Sequence, residues 1–365
     1  MNRDIRLDLM RGYAMLAIAL NHVTVLVEPL GFTQQNIPTL TAFGYSSAAT
    51  LFFALSGYMV GLVYLRRPGA SGAIWNRVRL IYLVNAAAFF AGLLIVSMQP
   101  AQVQEALGYS VVYESPGLGI MLFLAMLRQP ALLDVLHMYV ILMLVTPAFA
   151  FLLTKQPSVA LMISAGTYTG VLLLPGFSYP GAVIGPGGEW GLGARWNMEV
   201  LSWQLLFFSA MYAGTLKLHD RIFTWLEASG AGRGAVIALF AAIAAVKVGE
   251  HLGYWGTPPL TDKRNLEPLR LLHAGLKIML LSSVVVMLGR YLDHPLARLV
   301  GLVGRQTLYG FAASLPATYV AASFWVASGG TYLAYLVACV FVLAVVIIVS
   351  WPTETIKRSR TAIMA

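Results

Sequence analysis

Apolar runs of about the length needed to cross a lipid bilayer recur along this chain of 365 residues. Hydrophobic residues make up 59% of the sequence, charged residues only 11%, and the mean hydropathy is +0.75. A typical soluble domain has about 25% charged residues. A segment that crosses the hydrocarbon core alone must satisfy its own backbone hydrogen bonds, and a helix does so. The sequence therefore predicts an all-α integral membrane protein.

About ten transmembrane helices are predicted from these runs. They cover residues 8–28, 45–65, 78–98, 131–153, 158–174, 199–216, 233–250, 267–289, 306–326 and 331–351. Another apolar stretch, 117–128, is too short to cross and is predicted to be an interfacial or re-entrant helix. The segments between the runs are short, so we expect one polytopic domain over residues 1–365.

The net charge of +9 is better explained by orientation in a membrane than by a nucleic-acid partner. With a cytoplasmic N-terminus, most Lys and Arg residues fall on the cytoplasmic side, as the positive-inside rule expects. Those residues are Arg3, Arg6, Arg11, Arg66, Arg67, Arg77, Arg79, Lys155, Lys217, Arg221, Arg233, Arg290, Arg298, Arg305, Lys357, Arg358 and Arg360. An anionic cytoplasmic ligand is a second explanation. Ten spans then place both termini in the cytoplasm.

The single cysteine, Cys339, excludes a disulfide framework.

The first apolar run contains two basic side chains, Arg11 and His22. An ionisable residue within a membrane span is costly and usually faces the protein interior or an aqueous cavity. Eleven residues at 100° each place Arg11 and His22 on one helix face, about 16 Å apart. Asp8 lies one turn before Arg11 on nearly the same face. The spacing predicts a polar stripe of Asp8, Arg11 and His22 along a single helix.

Structural roles for these two residues stay open at this point. A histidine in a span can bond to a neighbouring helix without taking part in chemistry, and Arg11 can extend its charge to the cytoplasmic interface. Similar alternatives apply to Ser56, because small residues at helical spacing usually indicate close helix packing. The guanidinium groups of Arg77 and Arg79 match phosphate geometry, although membrane orientation also accounts for them.

Polar side chains also gather near the predicted outer ends of three spans. They are His137, Asn197, Glu199, Lys263, Arg270, His273 and Lys277. Arg270 and Lys277 are seven residues apart and share one helix face. Buried cations need anionic partners or an aqueous cavity. Pairing with Glu199, Glu250 or Glu267 is one explanation, and binding of an anionic acyl group or a sugar is the other.

Five stretches, in order along the chain, resemble the OpgC family within the wider acyltransferase-3 group of membrane proteins. They are RLDLMRGYAMLAIALNH (6–22), LFFALSGYMVGLVYLRR (51–67), WNMEVLSWQLLF (196–207), KRNLEPLRLLHAGL (263–276) and VGRQTLYGF (303–311). Arg11, ten intervening residues and His22 fit that group's arginine–histidine motif. Two positions differ: Asn21 stands where OpgC-like sequences often have an acidic residue, and Met198-Glu199 stands where Asn-Pro is usual.

The resemblance implies transfer of an acyl group, in OpgC a succinyl group, from cytoplasmic succinyl-CoA onto periplasmic glucans at the bacterial inner membrane. It makes His22 the candidate general base, since a neutral imidazole can take the proton of a sugar hydroxyl. The candidate donor-binding residues are Arg11, Arg77, Arg79 and Ser56. The candidate residues for the acceptor or the acyl carboxylate are Arg270, Lys263, His273, Glu199, Asn197 and His137. An acyl-CoA is the expected co-substrate, with neither a metal nor a permanently bound cofactor. A transporter or flippase for an anionic or glycan substrate is the alternative.

Overall fold

The computed structural model describes residues 4–34, 36–65, 70–174, 176–178 and 198–364, and none of these residues lies in a β-strand. In chain order the α-helices are α1 (Ile5–Val27), α2 (Ala48–Met59), α3 (Ala70–Ser97), α4 (Ala101–Ala106), α5 (Ser110–Glu114), α6 (Pro116–Leu124), α7 (Asp134–Lys155), α8 (Pro157–Leu173), α9 (Val200–Thr215), α10 (Leu218–Ala228), α11 (Gly230–His251), α12 (Pro268–Met287), α13 (Pro295–Arg305), α14 (Thr307–Ala327) and α15 (Tyr332–Met364). The all-α prediction is confirmed for this part of the chain.

Every predicted span contains a helix, and seven helices of the described residues are long and apolar enough to cross a membrane. They are Ile5–Leu30, Ala70–Ser97, Asp134–Lys155, Gly230–His251, Pro268–Met287, Thr307–Ala327 and Tyr332–Trp351. These helices fit a multi-pass membrane protein. The helices in 45–65, 158–174 and 199–216 are shorter than the roughly 20 residues that a crossing needs, so their spanning stays a prediction. The 117–128 stretch forms α6, a nine-residue helix too short to cross.

The chain divides into two compact units. The terminal unit comprises Met1–Leu40, Val84–Glu114 and Val284–Ala365, and the central unit comprises Thr41–Leu83 and Ser115–Ser283. Two of the four boundaries between these ranges fall within helices, in α3 and α12. Arg11 and His22 therefore belong to the terminal unit, whereas the other candidate site residues that the structure describes belong to the central unit.

In the terminal unit, α13 packs against α1 at a distance that only glycines permit. A Cβ at Gly304 would overlap the carbonyl oxygen of Asp8, and one at Gly12 would overlap that of Val300. Because 304 pairs with 8 and 300 with 12, the two helices run in opposite directions. Small residues allow two helix backbones to approach this closely. The contact fixes the turn of α1 that carries Arg11.

The central unit contains a comparable contact between α2 and α9. Gly57 lies against the carbonyl oxygen of Phe207 and Gly61 against that of Met211, again without room for a Cβ. The two pairs advance together along the chain, so these two segments run in the same direction. Ser56 is buried next to Gly57. Close helix packing therefore accounts for the small residues of this segment.

The contact between α1 and α13 generates a stability prediction. Gly304→Ala is expected to lower the free energy of unfolding by about 1–3 kcal/mol, because the new methyl group meets the Asp8 backbone rather than a movable side chain. Gly301→Ala on the same helix is the matched control, since its Cβ would lie 3.8 Å from the nearest side-chain atoms. The free energy of unfolding of this control should equal or exceed that of the wild type, because alanine has a better helix propensity than glycine. Thermal unfolding in detergent measures both, and equal midpoints for the two variants would contradict the prediction.

Candidate functional site

Arg11 is held between two helices of the terminal unit. Its Nη1 lies 3.8 Å from Oδ1 of Asp8, one turn earlier on α1. Its Nη2 donates a hydrogen bond of 2.9 Å to Oγ1 of Thr307, the first residue of α14. Asp8 is buried and Arg11 is partly buried. The guanidinium therefore has a fixed position set by both helices.

His22 lies further along the same helix and packs against α14 as well. Its imidazole is buried and meets the ring of Phe311 edge to face, with ring centroids 5.6 Å apart. Phe311 follows Thr307 by one helical turn, so the contacts of Arg11 and His22 fall on neighbouring turns of α14. The two ends of the polar stripe on α1 therefore face one short stretch of a second helix.

The carboxylate of Asp8 is too far along the helix to support His22. Fourteen residues separate them, which is about 21 Å of helix rise. Asp8 instead lies beside Arg11. Next to His22, the Asn21 side chain accepts a hydrogen bond of 3.1 Å from Thr39. The stripe thus consists of an ion pair at one end and an imidazole at the other.

The remaining candidate donor residues lie in the central unit. Arg77 is partly buried on α3, and Arg79 is exposed on the same helix and donates a hydrogen bond to the side chain of Asn76. Ser56 is buried in α2. Arg77 and Arg79 are two residues apart, which is about 200° around the helix, so the structure does not bring their guanidinium groups together.

Two of the predicted outer residues, Arg270 and His273, come together on α12. Nδ1 of His273 accepts a hydrogen bond of 3.1 Å from the backbone N–H of Ser46 and lies 2.8 Å from the Ser46 hydroxyl. Because Nδ1 accepts from a backbone N–H, the proton of the neutral ring resides on Nε2. The ring also stacks on Phe240, with centroids 5.4 Å apart.

Lys277 and Arg270 bind the backbone of the same short segment. Nζ of Lys277 donates to the carbonyl of Ser46, and Nη1 of Arg270 donates to the carbonyl of Tyr45. Nε of Arg270 donates to the carbonyl of Thr261. These side chains share one face of α12, as the seven-residue spacing predicts. We call Arg270, His273 and Lys277 the α12 cation cluster.

Three of the other predicted outer residues lie on other elements of the central unit. Lys263 is exposed and interacts electrostatically with Asp134, the first residue of α7. Glu199 caps the N-terminus of α9, where its carboxylate accepts from the backbone of Leu201 at 3.3 Å. His137 is fully buried in α7. Asn197 lies outside the described residues.

A carboxylate network next to the cluster is centred on Glu250, one of the carboxylates that the sequence offered as partners of the cations, and Glu250 interacts electrostatically with Arg270. The Tyr45 hydroxyl donates to Oε2 of Glu250 at 3.1 Å, and Oε1 of Glu250 accepts from Lys247 at 2.7 Å and from Thr257 at 2.9 Å. Since 205 residues separate Tyr45 from Glu250, no spacing pattern reveals the pair.

The comparison with protein families agrees with the resemblance found in the sequence. The family model described as "OpgC protein" matches residues 3–358. No curated protein and no solved structure matches this chain. The matched range includes every residue discussed as a candidate site residue. Because the match extends over nearly the whole chain, this protein belongs to the OpgC family.

Proposed function

We propose that this protein is a membrane O-acyltransferase that moves a succinyl group from cytoplasmic succinyl-CoA onto hydroxyl groups of periplasmic glucans. Membership of the OpgC family indicates an acyltransferase-type enzyme that modifies glucans. The observation that carries the proposal is the stripe on α1: a fixed guanidinium at Arg11 and a buried imidazole at His22 on one face of a candidate membrane span. Such residues within a span are functional by default, because burying them is costly.

The general base in this proposal is His22. A sugar hydroxyl is a poor nucleophile, and a neutral imidazole removes its proton as the oxygen attacks the thioester carbonyl. The new C–O ester bond forms while the C–S bond breaks. Coenzyme A leaves as the thiolate and takes the proton back from the imidazolium, so the products are the glucan ester and the free thiol. The edge-to-face contact with Phe311 supports this role because it orients the ring.

Arg11 is proposed to bind phosphate or pantetheine oxygens of the donor. Its contacts with Asp8 and Thr307 hold the guanidinium in place before a ligand arrives. About 16 Å of helix between Arg11 and His22 suits a long donor that is held at one end while its thioester reaches the imidazole. Arg77, Arg79 and Ser56 are proposed as further donor contacts. Acyl-CoA is the co-substrate, and no permanently bound cofactor or metal takes part in this scheme.

The proposed orientation follows from the distribution of basic residues. Both termini are cytoplasmic, the protein lies in the bacterial inner membrane, and ten spans cross it. The outward-facing residues are then proposed to bind the glucan or the acyl carboxylate; they are Arg270, Lys263, His273, Glu199, Asn197 and His137.

Removal of the imidazole tests the base. His22→Gln is expected to lower the turnover of succinyl-CoA with a glucan by about 10²–10⁴-fold, because the hydroxyl loses its proton acceptor. The assay follows free thiol release and succinyl incorporation by purified protein in lipid. His251→Gln, at the exposed end of α11, is the control and should match the wild type. Near-normal turnover by folded His22→Gln would exclude the base role. Glucan flux into vesicles without turnover from any acyl donor would indicate a transporter instead.

The same mechanism predicts a pH dependence. An imidazole that must accept a proton is inactive when protonated, so kcat/KM should rise with pH through a single ionisation and then level off. The residual activity of His22→Gln should lack that ionisation. A profile that is flat in the wild type, or a rise that persists in the variant, would assign the ionisation to another group.

Donor binding by Arg11 has its own prediction. Arg11→Gln should raise the KM for succinyl-CoA by about 10- to 100-fold, the range expected for losing hydrogen bonds to a charged group. Arg6→Gln is the matched control, because Arg6 pairs with Asp4 on the same helix, at 2.9 Å. Its KM should stay at the wild-type value. A wild-type KM in Arg11→Gln, with an unchanged unfolding midpoint, would show that Arg11 does not bind the donor.

A further inference from the structure

Lys277 is a charged side chain at the centre of a candidate membrane span. It is the tenth of the 20 residues of α12, and only 1% of it is exposed. An ammonium group at that depth is costly unless an opposite charge or an aqueous cavity compensates for it. Lys277 therefore raises the question of what neutralises it.

The protein supplies a hydrogen bond but no counter-charge in the part of the chain that the structure describes. Nζ of Lys277 donates to the Ser46 carbonyl, which leaves two of its three hydrogens unused. No carboxylate of the described residues lies within ion-pair distance of this nitrogen. The carboxylate bound to neighbouring Tyr45, that of Glu250, is already paired with Lys247.

Of the other members of the α12 cation cluster, Arg270 interacts electrostatically with Asp262, Glu267 and Glu250, and both Arg270 and His273 add hydrogen-bond donors. Backbone carbonyls occupy Nε and Nη1 of Arg270, so its Nη2 is left to donate. His273 presents its Nε2, which is buried and has no hydrogen-bond partner among the described residues. Arg270 is partly exposed, and Lys277 lies two turns deeper, about 10 Å along the helix. These carboxylates interact with Arg270, whereas the charged group that interacts with Lys277 is Arg270 itself. The Lys277 end of the cluster is therefore suited to an anion.

We propose that Lys277 and Arg270 form a binding site in the central unit for the free carboxylate of the succinyl group. This inference rests on the proposed function and names the residues that select a dicarboxylic acyl group over a simple one. Nζ of Lys277 and Nη1 of Arg270 donate to the carbonyls of the adjacent residues Ser46 and Tyr45, so both cationic groups end at one short segment and can donate to a shared anion there. Lys263, which is exposed, has no described bond to the cluster and is left out of the site.

Donor selectivity tests the proposal. Butyryl-CoA replaces the succinyl carboxylate with a methyl group, so the ratio of kcat/KM for succinyl-CoA over butyryl-CoA reports carboxylate recognition. Lys277→Met and Lys277→Gln are expected to lower that ratio by about 30-fold or more, which is about 2 kcal/mol. The ratio should fall because kcat/KM for succinyl-CoA falls, whereas kcat/KM for butyryl-CoA should stay at the wild-type value. Lys277→Gln serves if the methionine variant does not fold, because glutamine can still donate to Ser46.

The matched control is Lys247→Met, the same substitution in another candidate span of the same unit. The ammonium of Lys247 has its own carboxylate, Glu250, at 2.7 Å. This variant should keep the wild-type selectivity even if its stability falls. A folded Lys277 variant that keeps the wild-type ratio would overturn the inference.

A binding measurement separates this inference from the proposed function. If the wild type transfers neither acyl group, the proposed function fails. The shift in unfolding temperature caused by succinate or butyrate then tests the carboxylate site by itself. A carboxylate site is supported if succinate stabilises the wild type and butyrate does not. The stabilisation by succinate should be lost in Lys277→Gln and kept in Lys247→Met. A wild type that succinate does not stabilise overturns it.

Discussion

Each ionisable side chain buried in a helical membrane protein must find its partner inside the protein, because hydrocarbon offers none. The described structure meets this requirement with charge at two places: Arg11 lies beside Asp8, and Lys247 lies beside Glu250. At Lys277 it supplies only a backbone carbonyl. Lys277 is the most deeply buried of the three cations: 1% of it is exposed, whereas the side chains of Arg11 and Lys247 are 15% and 29% exposed.

Close contacts between helix backbones place these groups. Gly12 and Gly304 bring α13 against the first turns of α1, and the chain then continues directly into α14, whose first residue, Thr307, accepts from Arg11. A larger side chain at either glycine would displace the helix that leads to that acceptor. The glycines therefore act on the candidate donor site through packing, although neither of them has a functional group.

The two groups of polar residues suit two different tasks, and each is described within its own unit. In the terminal unit, a guanidinium and an imidazole about three turns apart suit the binding of a long donor and the removal of a proton. In the central unit, Lys277 of the α12 cation cluster donates to a backbone carbonyl and has no described carboxylate partner, which suits recognition of an anion.

The sequence by itself determined the helical class, the stripe of Asp8, Arg11 and His22, and membership of the OpgC family. Hydropathy and the 3.6-residue period act within one segment, so side chains on a single helix are predictable from spacing. Seven of the ten predicted spans have helices of crossing length, whereas the helices of the other three are too short for length alone to decide. Tertiary structure decided every partner from a distant segment. Thr307 is 296 residues from Arg11, and Ser46 is 227 residues from His273. Such contacts depend on how helices pack, because local periodicity carries no information about which faces meet.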